Sequence, residues 1–326
     1  MNRGARIVTV LLALVALSLS SCGGGGGGSS ASPYTGLATP AVITTSNADN
    51  IARQAFQGGD LGANAVIPLA PAGEIAAVPP PAGPAALALV RTVSKTAITA
   101  VRPPGAAEGP SLRAPFTESG VISDGLGGEA RYTISGDDAT GAFTGTFAFV
   151  NFRGDGGGII EGTVSVSGTV TQDSIRIRFN FQSVQVVDMN GGSDVTAVGT
   201  VDLTASLVQV AETGTATLDL FLTDNFTLKT VWLSHVVVGT TVGTGYSDTT
   251  LSGLIYLHDY GYVEMETLTP FHYLTGNSYP SSGQFVVTGK DNKKVQLTVV
   301  DTTQFLLDVD TNGDDLWEVT AVVAYW

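Results

Sequence analysis

From about Glu129 onward the chain alternates apolar and polar residues with a period of two, a pattern that buries one face of a β-strand and no continuous face of a helix. Phe143, Phe147 and Phe149 alternate with Thr144, Thr146 and Ala148. Ile175, Ile177, Phe179 and Phe181 alternate with Arg176, Arg178, Asn180 and Gln182, and Val201, Leu203, Ala205 and Leu207 follow the same rule. Turn chemistry punctuates the runs: Ser135-Gly136-Asp137-Asp138, Gly154-Asp155-Gly156, Asp224-Asn225 and Asp259-Tyr260-Gly261. Short polar turns between consecutive half-buried strands predict an all-β fold, a large antiparallel meander. Whether it forms an open sheet, a sandwich or a partial barrel stays open at this level.

The pattern breaks near Pro270 and Pro280 and then resumes. Gln284–Gly289, Lys293–Val300, Thr303–Val309 and Leu316–Ala324 read as four more strands. The expected organisation is a leader over 1–21, a Gly/Ser linker over 22–35, an Ala/Pro-rich arm over 36–118, the meander over 119–268, and C-terminal hairpins over 269–326. Those hairpins either continue the sheet or form a small β unit. In the arm, Ser46-Asn47-Ala48-Asp49 offers a helix start, and Gly58-Gly59 is expected to end that helix. Pro84 opens a second predicted helix to about Val101.

The N-terminus is the second constraint. Arg3 and Arg6 precede an apolar run from Ile7 to Leu19, closed by Leu19-Ser20-Ser21-Cys22. A basic start, a short apolar core and small residues describe an export leader, too short to span a bilayer as a helix. The Leu-Ser-Ser-Cys ending is similar to a bacterial lipoprotein signal. That resemblance implies cleavage before Cys22, a diacylglycerol thioether on its sulfur and acylation of the new amine. Gly23 follows the cysteine where an inner-membrane retention signal would place aspartate, so the outer membrane is the expected address, with the face unspecified. Linker residues Gly23 to Ser32 have a composition that reaches roughly 15–20 Å as a coil.

Composition narrows the partners. The net charge is −14 and the sequence pI about 4.4, and loss of the leader removes two arginines and no acid. Such a balance disfavours nucleic acid and anionic lipid headgroups. Cys22 is the single cysteine, so an internal disulfide is impossible. The partners left are the membrane, through the lipid, and an envelope protein, a glycan or a lipid ligand.

Several segments resemble a family of uncharacterised proteobacterial lipoproteins. They are Pro40-Ala41-Val42-Ile43 with Asn47-Ala48, Tyr132-Thr133-Ile134 through Gly145, Gly261-Tyr262-Val263-Glu264, Thr269-Pro270-Phe271 and Asp308–Asp314. The likeness covers most of the mature chain through loose motifs. It implies a β-rich outer-membrane lipoprotein and carries no activity with it.

Two clusters offer chemistry. Asp308-x-Asp310-x-Asn312-Gly313-Asp314, with Glu318 beyond it, places oxygen ligands at alternate positions and resembles the start of a Ca²⁺ loop. The same residues also read as a polar hairpin turn. Any ion there would be structural, and no other cofactor is expected. Tyr256, Tyr260, Tyr262, Phe271 and Tyr273 form the densest aromatic neighbourhood, either a binding patch or ordinary cross-strand packing. His235, His258 and His272 lack metal-ligand spacing, Glu264 and Glu266 lie on one strand face, and no nucleophile elbow is present. The expectation is a non-enzymatic envelope lipoprotein. A lipid or hydrophobe carrier with a partial barrel is the alternative, and a membrane-spanning barrel is a third reading.

Overall fold

The computed structural model describes residues 33–66 and 115–326, apart from turn residues 138–139, 154–157, 172–173, 189–193, 207–211, 276 and 278 and the side chains of 59–66. The leader, Cys22, the linker up to Ser32 and the expected 84–101 helix lie outside the described residues.

Fourteen antiparallel strands pair in strict sequence order in one sheet. They are β1 Phe116–Ser123, β2 Glu129–Asp137, β3 Ala142–Arg153, β4 Gly158–Val170, β5 Ser174–Asp188, β6 Asp194–Ser206 and β7 Glu212–Asp224. The second half comprises β8 Thr230–Gly243, β9 Tyr246–Leu257, β10 Gly261–Leu274, β11 Ser282–Thr288, β12 Lys294–Val299, β13 Gln304–Asp310 and β14 Val319–Tyr325. The expected meander is therefore present, and it is open: β1 and β14 are its free edges. The strands after Ser282 continue the same sheet.

One face of the sheet carries the core. Phe147, Phe179, Val164, Leu218, Leu220, Ile255, Phe285 and Phe305 are fully buried, whereas their strand neighbours are more exposed. Among the described residues one α-helix, α1 (Ala48–Val66), lies on that face. Its apolar stripe of Ala48, Ile51, Ala52, Ala55 and Phe56 is buried at helical spacing. Phe56 meets Phe271 of β10 edge-on at 5.0 Å and Trp326 at 4.9 Å, while Arg53 lies over the Phe305 ring of β13 at 4.7 Å. Further along, α1 packs on β9, β8, β7 and β6, so it crosses the strands rather than following one.

Three details depart from the sequence reading. Gly58-Gly59 does not end α1. A Cβ at Gly58 would sit 2.5 Å from Ile255 Cδ1, so this glycine lets the helix approach the sheet. Pro270 lies inside β10 rather than between elements, at an irregular stretch where pairing shifts between Thr267, Thr269 and His272. Proline is tolerated there because the ladder is already interrupted. β1 begins before the alternation does, since both of its faces are largely exposed, as suits an edge.

Irregularities recur on neighbouring strands. Positive φ at Asn151, Gly162, Ser183, Gly199, His235, Gly253 and Gly283 accompanies register shifts between β3 and β4, β4 and β5, β5 and β6, β7 and β8, β8 and β9, and β10 and β11. Each extra residue bends its strand and increases the twist. Repeated on successive strands, the bulges give the sheet its curvature.

The chain reaches α1 by an unusual path. Tyr34 rests on the outer face, and Pro40 then forms a parallel bridge with Tyr262 at the start of β10. Ala41 N donates to Tyr262 O at 2.8 Å, and Ala41 O accepts from Lys290 N at 2.7 Å. Ala41 and Ile43 are fully buried. The segment thus passes between β10 and the turn after β11, from the solvent face to the core.

Candidate functional site

Antiparallel meander pairing alternates the turns between two rims. One rim carries the turns at 124–128, 225–229, 258–260, 289–293 and 311–318, together with the entering segment at Tyr34–Thr39. The acidic loop lies at it, and so do Tyr256, Tyr260 and Tyr262 of the aromatic cluster, whereas Phe271 and Tyr273 lie toward the opposite rim.

The acidic loop joins β13 to β14. Asp310, at the end of β13, is fully buried, and its carboxylate is used by the backbone. Asp310 Oδ1 accepts from Gly313 N at 2.6 Å and Asn312 N at 3.1 Å, and Oδ2 accepts from Asp315 N at 2.9 Å. Oxygens of Asp310, Asp314 and Glu318 come within 4.8 Å of one another. The Asn312 amide bridges two of them, donating to Glu318 Oε1 at 2.6 Å and Asp314 Oδ2 at 3.2 Å. Asp308 does not join. It faces the other side of β13, where its Oδ1 accepts from Ala321 N at 2.8 Å.

The ligand set that the geometry assembles is therefore Asp310, Asn312, Asp314 and Glu318. Their spacing matches positions 1, 3, 5 and 9 of a Ca²⁺ loop starting at Asp310, two residues later than the sequence suggests. Oxygen-rich and acidic, the set suits a hard cation. The loop also stands as a self-bonded turn. It leans on the turn at Lys290–Asn292, with Asn292 Nδ2 on Asp315 Oδ1 at 3.2 Å and Lys294 paired to Asp315. Asp310→Ala leaves three backbone donors without their charged acceptor, and urea unfolding should show a loss of about 2–3 kcal/mol. If the loop holds Ca²⁺, the ion raises the melting temperature of the parent chain and not of the variant. Identical melting in Ca²⁺ and in chelator makes it a plain turn.

The aromatic neighbourhood divides. Phe271 is fully buried against Phe56 and Phe285, and Tyr260 and Tyr273 pack partly buried against the core. Tyr256 and Tyr262 alone lie on the outer face, and they belong to a longer row. Phe221, Trp232, Tyr256 and Tyr262 are direct cross-strand neighbours on β7 to β10. Their ring centroids are 5.1, 4.4 and 5.2 Å apart. The indole Nε1–H donates to Asp219 Oδ1 at 2.8 Å, which fixes the Trp232 ring. Tyr34 covers the row at 5.5 Å from Tyr256 and 6.2 Å from Trp232. Burial, then the neighbouring Tyr256 and Asp259, push its phenol pKa up to about 12, so it stays neutral at physiological pH. The row is half-exposed cross-strand packing, locked by the entering chain.

Sequence reading missed Tyr34, Phe221 and Trp232. They lie far from Tyr256 along the chain, and only strand register joins them. His235 and Glu264 are exposed on different strands, and His272 pairs with Asp248 at 2.7 Å.

No family model, curated protein or solved structure matches this chain.

Proposed function

We propose that this chain is a lipoprotein of the cell envelope, exported and held at the outer membrane by acyl groups on Cys22, with a structural or binding role and no catalytic one. The observation that carries the reading is the order Arg3, Arg6, Ile7–Leu19, then Leu19-Ser20-Ser21-Cys22. One acyl chain holds a protein only marginally, whereas several anchor it firmly.

The fold supports a protein that works through its surface. The strands turn their apolar face to a core packed by α1, while a spanning barrel turns an apolar band to lipid. Among the described residues, no helix is long and apolar enough to cross a membrane. Trp326 packs against Phe305 at 4.6 Å and stacks on Tyr279. The helix expected to cover a hydrophobe carrier's cavity, 84–101, lies outside the described residues; at α1, Phe56 seats directly on Phe271 and Phe285. The outer face offers a protein or glycan partner the half-exposed row from Phe221 to Tyr262. A structural Ca²⁺ at the Asp310 loop fits the same extracytoplasmic setting.

Fractionation tests the anchor. The parent chain should sediment with outer membranes, and Cys22→Ser should leave them, either as soluble chain or as unprocessed precursor in the inner membrane. A Cys22→Ser variant that still reaches the outer membrane would overturn the reading.

A further inference from the structure

The rim at which the chain enters also carries apolar side chains turned into solvent. Leu126, Phe226, Leu228 and Leu316 are 64, 65, 70 and 68 % exposed, all in turns of this one rim. Leu37 of the entering segment, bonded through its amide to His258 O, is exposed beside them. Exposed apolar residues scattered singly are ordinary. The opposite rim also exposes Tyr246, Leu274, Val300 and Tyr325, but Leu126, Phe226, Leu228 and Leu316 are more exposed than the first three of these and all sit at turn tips.

Three of the turns are built alike. Asp124 Oδ1 accepts from Leu126 N at 2.7 Å, Asp224 Oδ1 from Phe226 N at 2.8 Å, and Asp314 Oδ1 from Leu316 N at 2.9 Å. Each aspartate closes a turn on the residue two places on and leaves that residue's apolar side chain outward. Backbone donors, led by the Leu126 amide, hold the Asp124 carboxyl below its usual range, so this turn stays closed at neutral pH. The opposite rim uses the same device at Asp301, where the capped residue is the polar Thr303. Leu228 adds a second sign, adopting φ +58°, which leucine rarely does and which costs energy to hold.

We propose that this rim is the face that lies against the phospholipid surface, with Leu37, Leu126, Phe226, Leu228 and Leu316 entering the headgroup–acyl boundary. The inference rests on lipidation of Cys22. The covalent path from Cys22 to Tyr34 measures at most about 40 Å, and Tyr34 is fixed at this rim by its rings and by Leu37. The strands of β3 to β10 extend the opposite rim a further ~40 Å away. A Gly/Ser composition whose coil reach is roughly 15–20 Å, short of the ~40 Å between the rims, favours this rim over the other at the lipid. The rim's charge is mixed: Lys229 pairs with Asp259 at 2.6 Å, Lys290 and Lys293 flank the next turn, and the Asp310 loop is acidic. Zwitterionic phospholipid is the matching surface.

The test uses the full acylated chain in phosphatidylethanolamine–phosphatidylcholine vesicles. Cys22 is blocked by its lipid, so Thr227→Cys and Thr302→Cys each give one site for a fluorophore, on opposite rims. Lipids brominated near the headgroup should quench the Thr227 label several-fold more than the Thr302 label. Phe226→Ser with Leu228→Ser should remove most of that difference. Equal quenching of both labels, with acyl mass on Cys22 verified, overturns the orientation and leaves the anchor standing. Absence of acyl mass removes the tether, and both readings fall.

Discussion

Gly199→Val should abolish accumulation of folded protein. Gly199 holds φ +132° beside the register shift between β5 and β6 and in unbroken pairing with Leu220 of β7. A Cβ there would meet the Asp219 carbonyl oxygen at under 3.0 Å and Leu220 Cα at 3.0 Å. Both obstacles are backbone and cannot rotate aside. The conformation alone costs a non-glycine residue about 1–3 kcal/mol, and separating β6 from β7 adds loss of ladder and core contacts. Against a total of about 5–15 kcal/mol for a folded domain, that sum leaves little or nothing. Gly245→Ala is the control. Gly245 also has positive φ, +81°, with no atom within 4 Å of its Cβ position, and it should lose only about 1–2 kcal/mol. Far-UV circular dichroism and soluble yield read both. Folded Gly199→Val at parental stability would show that the close approach of β7 to Gly199 is incidental.

Phe56→Ala should destabilise the chain by about 3–5 kcal/mol, the usual range for a buried phenylalanine. Phe56 links α1 to β10, to β11 and to the C-terminal residue through Phe271, Phe285 and Trp326. Its loss opens a cavity where the helix, the sheet and the chain end meet. Urea unfolding followed by tryptophan fluorescence measures the cost and should also report a changed environment for Trp326. A loss below about 1 kcal/mol would mean that α1 is an ornament on the sheet rather than part of its core.

The meander was legible because alternation is local: Ile175 to Phe181 alone announce a strand with one buried face. What failed was information held in register. Phe271 reads as a patch aromatic, but it shares the odd-numbered face of β10 with the buried Val263 and Met265, opposite to Tyr262, and the ring lands in the core. Asp308 and Asp310 look equivalent in sequence. The strand keeps Asp308 on its outer face, while the turn folds Asp310 inward onto three amides. The row from Phe221 to Tyr262 was invisible for the same reason, being assembled from four strands. Gly58 looked like a stop signal because glycine usually weakens helices, yet here it relieves a contact with Ile255. The entry of Tyr34–Ile43 past β10 has no sequence signature beyond the glycines that make room for it.

The central claim is a lipid-anchored chain that carries no bound hydrophobe, and the intact mass of protein extracted from outer membranes addresses it most directly. The account predicts a polypeptide beginning at Cys22, carrying a diacylglycerol and an amide-linked acyl chain, with no further hydrophobe released by organic solvent. An unmodified chain that retains residues 1–21 would contradict the anchor, and a stoichiometric extractable lipid would make the chain a carrier instead.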